Sequence, residues 1–399
     1  MRTASASSIA RALTAARAAE IQPFEVMEVM ARAHALEATG RHVVHMEIGE
    51  PDFTAPEPVV EAAVRALRAG ATAYTAALGL PALREAIAGY SRAQLGEAVA
   101  ADTVAVTAGA SGGLLLTLAL YVDPGDEVLV PDPGYPGYRH FVRAFEGVAK
   151  PLEVSAADNF QPTLEMVRAA WGPRTLGLLL GSPANPTGTT IAPRELERIA
   201  QFIATQGGVL IVDEIYRGLS YDWAGAPPPQ LPGEVVRVNS FSKYFCMTGW
   251  RLGWVVMPQP RVREFEKLAQ HLFICPSAVA QQAALAAFLP ETLGVLEARR
   301  LEFQRRRDFL LPALERAGLR IPARPSGAFY IFADCSAHDE DARRFALGLL
   351  EREAVAATPG LDFGAHDTRR YVRFAYTRSM KDLEEAARGI ARFCGRGAG

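Results

Sequence analysis

Between about residues 102 and 240 the chain repeats one pattern, a short run that is apolar on both faces followed by a stretch with helical periodicity. "TVAVTAG" leads into "GGLLLTLALYV", "DEVLVPDPGY" into "GYRHFVRAF" and "TLGLLLGSPANP" into "APRELERIAQFIATQ", and "GVLIVDEIY" runs on towards "EVVRVNSFSK". Strands apolar on both sides belong inside a mostly parallel sheet covered by helices on each face, because only then is neither side wet. The pattern predicts an α/β domain of three layers, αβα. Such sheets offer ligands the carboxyl ends of their strands, so the residues that directly follow each run are the ones to read for function.

The last third breaks the alternation. "AQQAALAAFLPETLGVLEARRLEFQRRRDFLLPALERAG" reads as one long helical stretch and "AFYIFAD" as a strand, and "DARRFALGLLERE" puts Ala342, Phe345, Ala346, Leu349 and Leu350 on one helical face. "RRYVRFAYT" alternates, with Val372, Phe374 and Tyr376 on one side and Arg373 on the other, before a closing helix capped by Ser379. A smaller α+β domain is expected here. The expected division is 1–45 as an N-terminal arm and part of the small domain, 46–289 as the large domain and 290–399 as the small one, since 399 residues exceed one simple core. "YDWAGAPPPQLPG", 221–233, reads as a surface loop. The opening "MRTASASSIARALTAARAAE" resembles an organellar transit segment, but Ile9, Leu13 and Ala16 at helical spacing favour a helix or arm.

With 42 basic and 44 acidic residues there is no surplus to hold a polyanion, so nucleic acid is not an expected partner. No apolar run approaches the roughly 20 residues needed to cross a bilayer, and no membrane is expected. Cys246, Cys275, Cys335 and Cys394 lie far apart without C-x-x-C spacing, which fits reduced thiols in the cytoplasm and no metal site.

After "TVAVT" comes "AGASGGL", where backbone N–H groups at a helix start make a phosphate seat or merely a tight turn. After "DEVLV", Tyr135 stands among prolines, placed to stack on a planar ring or to pack its loop. Asn185, before Pro186, offers an amide at a strand end or closes an Asx-type turn. Asp213 directly ends an apolar strand, so its carboxylate is expected to be partly buried and to need a cationic or hydrogen-bonding partner. Tyr216 follows three residues on. In "VNSFSKYFCMTGWRLGW", Lys243 sits among Phe241, Phe245, Met247 and Trp250, where an ammonium either pairs with a carboxylate or gives up its proton easily, and Arg251 comes eight positions later. A phosphate seat, a stacking aromatic, an amide, a buried carboxylate, a phenol and such a lysine together suit a phosphorylated pyridine aldehyde, pyridoxal 5′-phosphate (PLP).

At this point the chain resembles the class I/II aminotransferases of the aspartate aminotransferase fold type (fold type I). The resemblance runs from about residue 20 onward through "GEPDF", "YTAALGLPALREAI", "TAGASGGL", "PDPGYPGY", "SPANPTG", "DEIY", "SFSKYFCMTGWRLG", "SGAFYIF" and "YVRFAYT". It implies a homodimer with shared active sites, exchanging an amino group between an L-amino acid and a 2-oxo acid, 2-oxoglutarate above others, by a ping-pong route. By the same resemblance Lys243 is the Schiff-base lysine, Asp213 pairs with the ring nitrogen, and Asn185 and Tyr216 bond the ring's phenolic oxygen under Tyr135. The phosphate falls to Ala110, Ser111, Ser240, Arg251 and a partner's Tyr74. The substrate carboxylate falls to Arg373, Gly49 and Asn185.

Two positions depart from the family pattern. Cys246 replaces a small or aliphatic residue beside the lysine. Ser111 stands where some aspartate-preferring relatives carry lysine, which argues against strict aspartate preference. The side-chain pocket is expected near Phe24, Phe273 and "SGAFY", whose apolar character points to neutral or aromatic substrates. A PLP-dependent C–S β-lyase shares every one of these residues and is the alternative. An effector-sensing module lacks room for a helix-turn-helix segment, and a nicotinamide oxidoreductase lacks its dinucleotide fingerprint.

Overall fold

The computed structural model describes residues 14–21, 25–221, 229 and 231–396. Its first strand, β1 (Val44–His45), finds its partner near the far end of the chain. The centre is a seven-stranded sheet of β2 (Val104–Thr107), β3 (Glu127–Asp132), β4 (Val148–Glu153), β5 (Thr175–Gly181), β6 (Val209–Asp213), β7 (Glu234–Ser240) and β8 (Gly253–Val256), in the order β2-β8-β7-β6-β5-β3-β4. Every pairing is parallel except those of β8, which runs against both β2 and β7.

The strands read as apolar on both faces are covered on both faces. Successive residues of a strand point to opposite sides, and Leu179 and Ile211 pack into one core while Leu178, Leu180, Leu210 and Val212 pack into another. This is the three-layer α/β architecture. Two strands escape the sequence pattern. The edge strand β4 carries Lys150 and Glu153 and is largely exposed or half-buried, and β8 follows so closely on the lysine stretch that it reads as its tail.

The long stretch after residue 278 is not one helix. It breaks at Leu289 and restarts as Pro290–Arg316, because proline suits the first turn of a helix, where its missing N–H costs nothing. Beyond it, β9 (Tyr330–Asp334), β10 (Val355–Ala356), β11 (Thr358–Pro359) and β12 (Tyr371–Ala375) follow. β12 lies between β11 and β9, antiparallel to both, with Arg373 opposite Phe332 and Ala375 opposite Tyr330. β10 runs parallel to β1, Val44 beside Val355. Ser379 caps the last helix, Met380–Phe393, by accepting from the Asp382 amide at 3.2 Å. Ala16 falls in a short helix, Ala16–Glu20, while Ile9 and Leu13 lie outside the described residues. No single helix among the described residues is long and apolar enough to cross a membrane.

Candidate active site

A cavity of about 400 Å³ opens at the carboxyl ends of β6 and β7. Its wall includes Gly49, Ala110, Ser111, Tyr135, Asn185, Asp213, Tyr216, Ser240, Lys243, Arg251 and Arg373, so eleven residues from scattered parts of the chain line one cavity. Tyr74 is not among them: it is 82% exposed on the surface of its own chain.

Asp213, the last residue of β6, is 3% exposed. Burial pushes its carboxyl up to about 6, against the pull of the Tyr138 hydroxyl at 2.9 Å and the Ile215 amide at 3.1 Å. A buried carboxylate was expected to need a partner, and that partner is the phenol one helical turn beyond Tyr135. Tyr135 itself lines the cavity edge-on to Tyr138, at 5.3 Å between ring centroids, and burial raises its phenol to about 12.

Lys243 follows β7 and points its Nζ at the Gly49 carbonyl, 2.7 Å away. Enclosure by protein brings its pKa from the ordinary 10.5 down to about 8, with Glu50 opposing and Arg373 and Arg251 assisting. A substantial neutral fraction at mildly alkaline pH is what a nucleophilic amine requires.

Arg251 adopts a left-handed backbone, φ 54°, and donates to the Thr248 carbonyl at 3.0 Å. Its Nη2 comes so near Gly109 that a Cβ there would lie 2.7 Å from it. Only glycine permits that approach, which brings a guanidinium to the first turn of the helix Gly109–Tyr121, beside the amides of Ala110 and Ser111. Helix start and guanidinium both favour an anion. Ser240, at the end of β7, accepts from the Ser242 amide at 3.0 Å.

Arg373 is 5% exposed. It donates to the Asn185 side-chain oxygen at 2.9 Å, the Glu47 carbonyl at 2.5 Å and the Thr358 hydroxyl at 3.2 Å, and its guanidinium lies over the rings of Tyr330 and Phe363 at 4.4 and 4.8 Å. Its Nε has no hydrogen-bond partner among the described residues. A buried charge held by neutral acceptors, with one donor unspent, is prepared for a carboxylate.

Sequence reasoning missed three wall residues. Tyr138 lies in "PDPGYPGY" three residues beyond the Tyr135 expected to stack, and Tyr330 lies in "SGAFY", expected as pocket wall but with no role for its hydroxyl. Glu47 had a usable signal, a lone carboxylate in an apolar run. It is fully buried, its Oε1 held by His45 Nδ1 at 2.7 Å and its Oε2 without a partner among the described residues. Of the expected side-chain pocket, Tyr330 lines the cavity, Phe24 lies outside the described residues, and Phe273 packs against the first turns of the helix Gly109–Tyr121 instead. The rest of the lining mixes apolar residues, Val26, Met27, Met30, Ile48, Leu114 and Phe363, with Ser242, Thr248 and Asp362. Among the described residues no cluster of His, Cys, Asp and Glu is suited to a metal ion.

A sequence model of the family described as "Aminotransferase class I and II" matches residues 41–390. A valine–pyruvate aminotransferase of Mycobacterium tuberculosis is 39% identical over 376 residues, 93% of this chain and 96% of the relative. An aspartate/prephenate aminotransferase of Thermus thermophilus is 37% identical over 383 residues, 95% and 98% of the two chains. The fold matches a crystal structure of an aminotransferase from Mycobacterium tuberculosis with a TM-score of 0.91 at 38% identity, over 96% of this chain and 99% of that one.

Proposed function

The chain belongs to the class I and II aminotransferases, and we propose that it passes the α-amino group of a neutral L-amino acid to a 2-oxo acid in the two half-reactions of a ping-pong cycle. The observation that carries this reading is the meeting, in one cavity, of an amine with its pKa lowered to about 8, a buried carboxylate and an arginine with an unspent donor.

The family's cofactor is pyridoxal phosphate, and the residues present fit it. The helix start at Gly109 and the closely packed Arg251 suit a phosphate, and Asp213, buried without a counter-charge in hydrogen-bond contact, suits a protonated ring nitrogen. When bound, the cofactor supplies an electron sink that lets the substrate's Cα–H ionise. In our reading Ala110, Ser111, Ser240 and Arg251 would hold the phosphate, Asn185 and Tyr216 would bond the phenolic oxygen, and Tyr135 would stack on the ring. Lys243 would anchor the cofactor through its amine and, as a free amine, would take a proton from Cα and return it. Arg373, with Gly49 and Asn185, grips the α-carboxylate and so fixes which bond at Cα faces the lysine.

The exposed Tyr74 supports a homodimer in which each phosphate site takes one tyrosine from its neighbour. Four free cysteines fit the reducing cytoplasm as the enzyme's compartment. Lys243, Arg251 and Arg373 all have work in this scheme, and the rest of the described lining, apolar residues with Glu47, Ser242, Thr248 and Asp362, offers no further cation. 2-Oxoglutarate, the acceptor implied by the sequence resemblance, would need a cation from the partner subunit for its distal carboxylate, whereas a monocarboxylic 2-oxo acid such as pyruvate would not. The valine–pyruvate relative supports the smaller acceptor.

The test is a panel of aliphatic, aromatic and dicarboxylic amino donors against pyruvate and 2-oxoglutarate, followed by formation of the new amino acid. Neutral donors are expected to lead. Release of pyruvate and ammonia from a sulfur amino acid, with no oxo acid added, would replace this reading with β-elimination.

A further inference from the structure

Tyr330 stands where three parts of the site meet. Its hydroxyl is 2.8 Å from that of Tyr216. Its ring carries the Arg373 guanidinium at 4.4 Å. Its oxygen presses so closely on Gly49 that a Cβ there would lie 2.1 Å away, and the carbonyl of that same glycine accepts from Lys243. The sheet produces this arrangement, because with Arg373 opposite Phe332 and Ala375 opposite Tyr330, Tyr330 and Arg373 are diagonal neighbours across β9 and β12. Tyr330 is 1% exposed, so its hydroxyl has no bulk water to turn to.

Only one of two touching phenols donates in their shared hydrogen bond, and the more acidic one is the better donor. A guanidinium over the Tyr330 ring favours negative charge on that phenol, easing the rise that burial imposes. Burial and the neighbouring Tyr330 oxygen drive Tyr216 well above the ordinary tyrosine range. Either phenol can donate across this contact; with the Tyr216 proton given to the cofactor's phenolic oxygen, as read above, Tyr330 is left as the donor and Tyr216 as the acceptor.

We propose that Tyr330 is a positioning residue for the transamination site: its O–H donates to Tyr216, turns the Tyr216 proton towards the cofactor's phenolic oxygen, and thereby lowers the proton affinity of the lysine-bound cofactor. The sign follows from competition. A donor on the phenolic oxygen competes with the proton on the lysine-derived nitrogen for the same negative charge, so a firmly held Tyr216 favours loss of that proton. This inference rests on the reading of Tyr216 given above.

The experiment compares holoenzymes of wild type, Tyr330→Phe, Tyr216→Phe and the double variant by pH titration of the bound cofactor's visible absorbance. Tyr330→Phe keeps the ring beneath Arg373 and removes one oxygen. Its titration midpoint is expected to rise by about half a unit to one unit, the worth of one hydrogen bond, with little change in the KM for the amino acid. The double variant is expected to titrate like Tyr216→Phe alone. A shift in Tyr216→Phe with none in Tyr330→Phe, or two shifts that simply add, overturns the proposal while leaving Tyr216 its role. No shift in either variant overturns both. A Tyr330→Phe protein that binds no cofactor would also overturn it, by making Tyr330 part of the seat.

Discussion

Tyr138 donates its hydroxyl to the Asp213 carboxylate at 2.9 Å, and the Ile215 amide at 3.1 Å supplies the other described bond to that group. A carboxylate this deep keeps its charge only as far as its donors allow. Tyr138→Phe should push the Asp213 pKa further up and weaken its attraction for a protonated ring nitrogen. Cofactor affinity is expected to fall about 10- to 100-fold, the range for a hydrogen bond to a charged group, as read from equilibrium cofactor release.

Asp213→Asn separates stability from function. Burial raises the folded carboxyl to about 6 from an ordinary 3.8. A raised folded pKa means that the fold prefers the protonated form, so the stabilisation is complete below about pH 4 and is lost as the pH climbs through about 6. Cofactor-free Asp213→Asn should therefore melt above cofactor-free wild type near pH 8, and the two should converge below pH 4. Loaded with cofactor, the variant should exchange the substrate's α-proton far more slowly, and normal exchange would remove Asp213 from its proposed role.

Lys243→Ala should retain the fold by circular dichroism and lose both the visible band of the lysine-bound cofactor and nearly all turnover. Full activity in this variant would end the transaminase mechanism proposed here.

Arg373→Lys keeps the charge and loses the planar fork. Because the guanidinium holds Asn185, the Glu47 carbonyl and Thr358 while one donor waits, a single ammonium should raise the KM for the amino acid about 10- to 100-fold. Cofactor binding should change little, which distinguishes substrate capture from general damage.

Tyr74→Ala and Lys243→Ala should each be nearly inactive alone. Mixed and allowed to exchange subunits, they should recover activity, because one hybrid site then holds an intact lysine and a partner's intact tyrosine. No recovery in verified hybrid dimers would assign Tyr74 to its own chain's surface.

The α/β core was legible because buried parallel strands leave an unbroken apolar signature, as in Leu178, Leu179 and Leu180, each fully buried. β4 left no such signature, since an edge strand bearing Lys150 and Glu153 has no dry outer side. Pro290 sits inside an unbroken helical periodicity although it begins a new helix. In the site, Asp213 and Lys243 were visible as charges out of place in apolar sequence. Glu47 carried the same signal, a carboxylate in an apolar run, whereas Tyr138 and Tyr330 did not, because what singles them out is a partner brought close by the fold, Asp213 and Tyr216. Both partners come from other strands or loops, and an aromatic residue in an apolar run looks like any other core side chain.

The pairing of Val44 with Val355 also orders events in time. A ribosome adding about 5–20 residues per second finishes β1 and then takes tens of seconds to make its neighbour. By then every cavity residue from Ala110 to Arg251 has been synthesised, whereas Arg373 is still to come. The growing chain thus acquires the parts of a cofactor seat well before it can hold a substrate carboxylate, and a translation product truncated near residue 320 would carry the lysine without the grip.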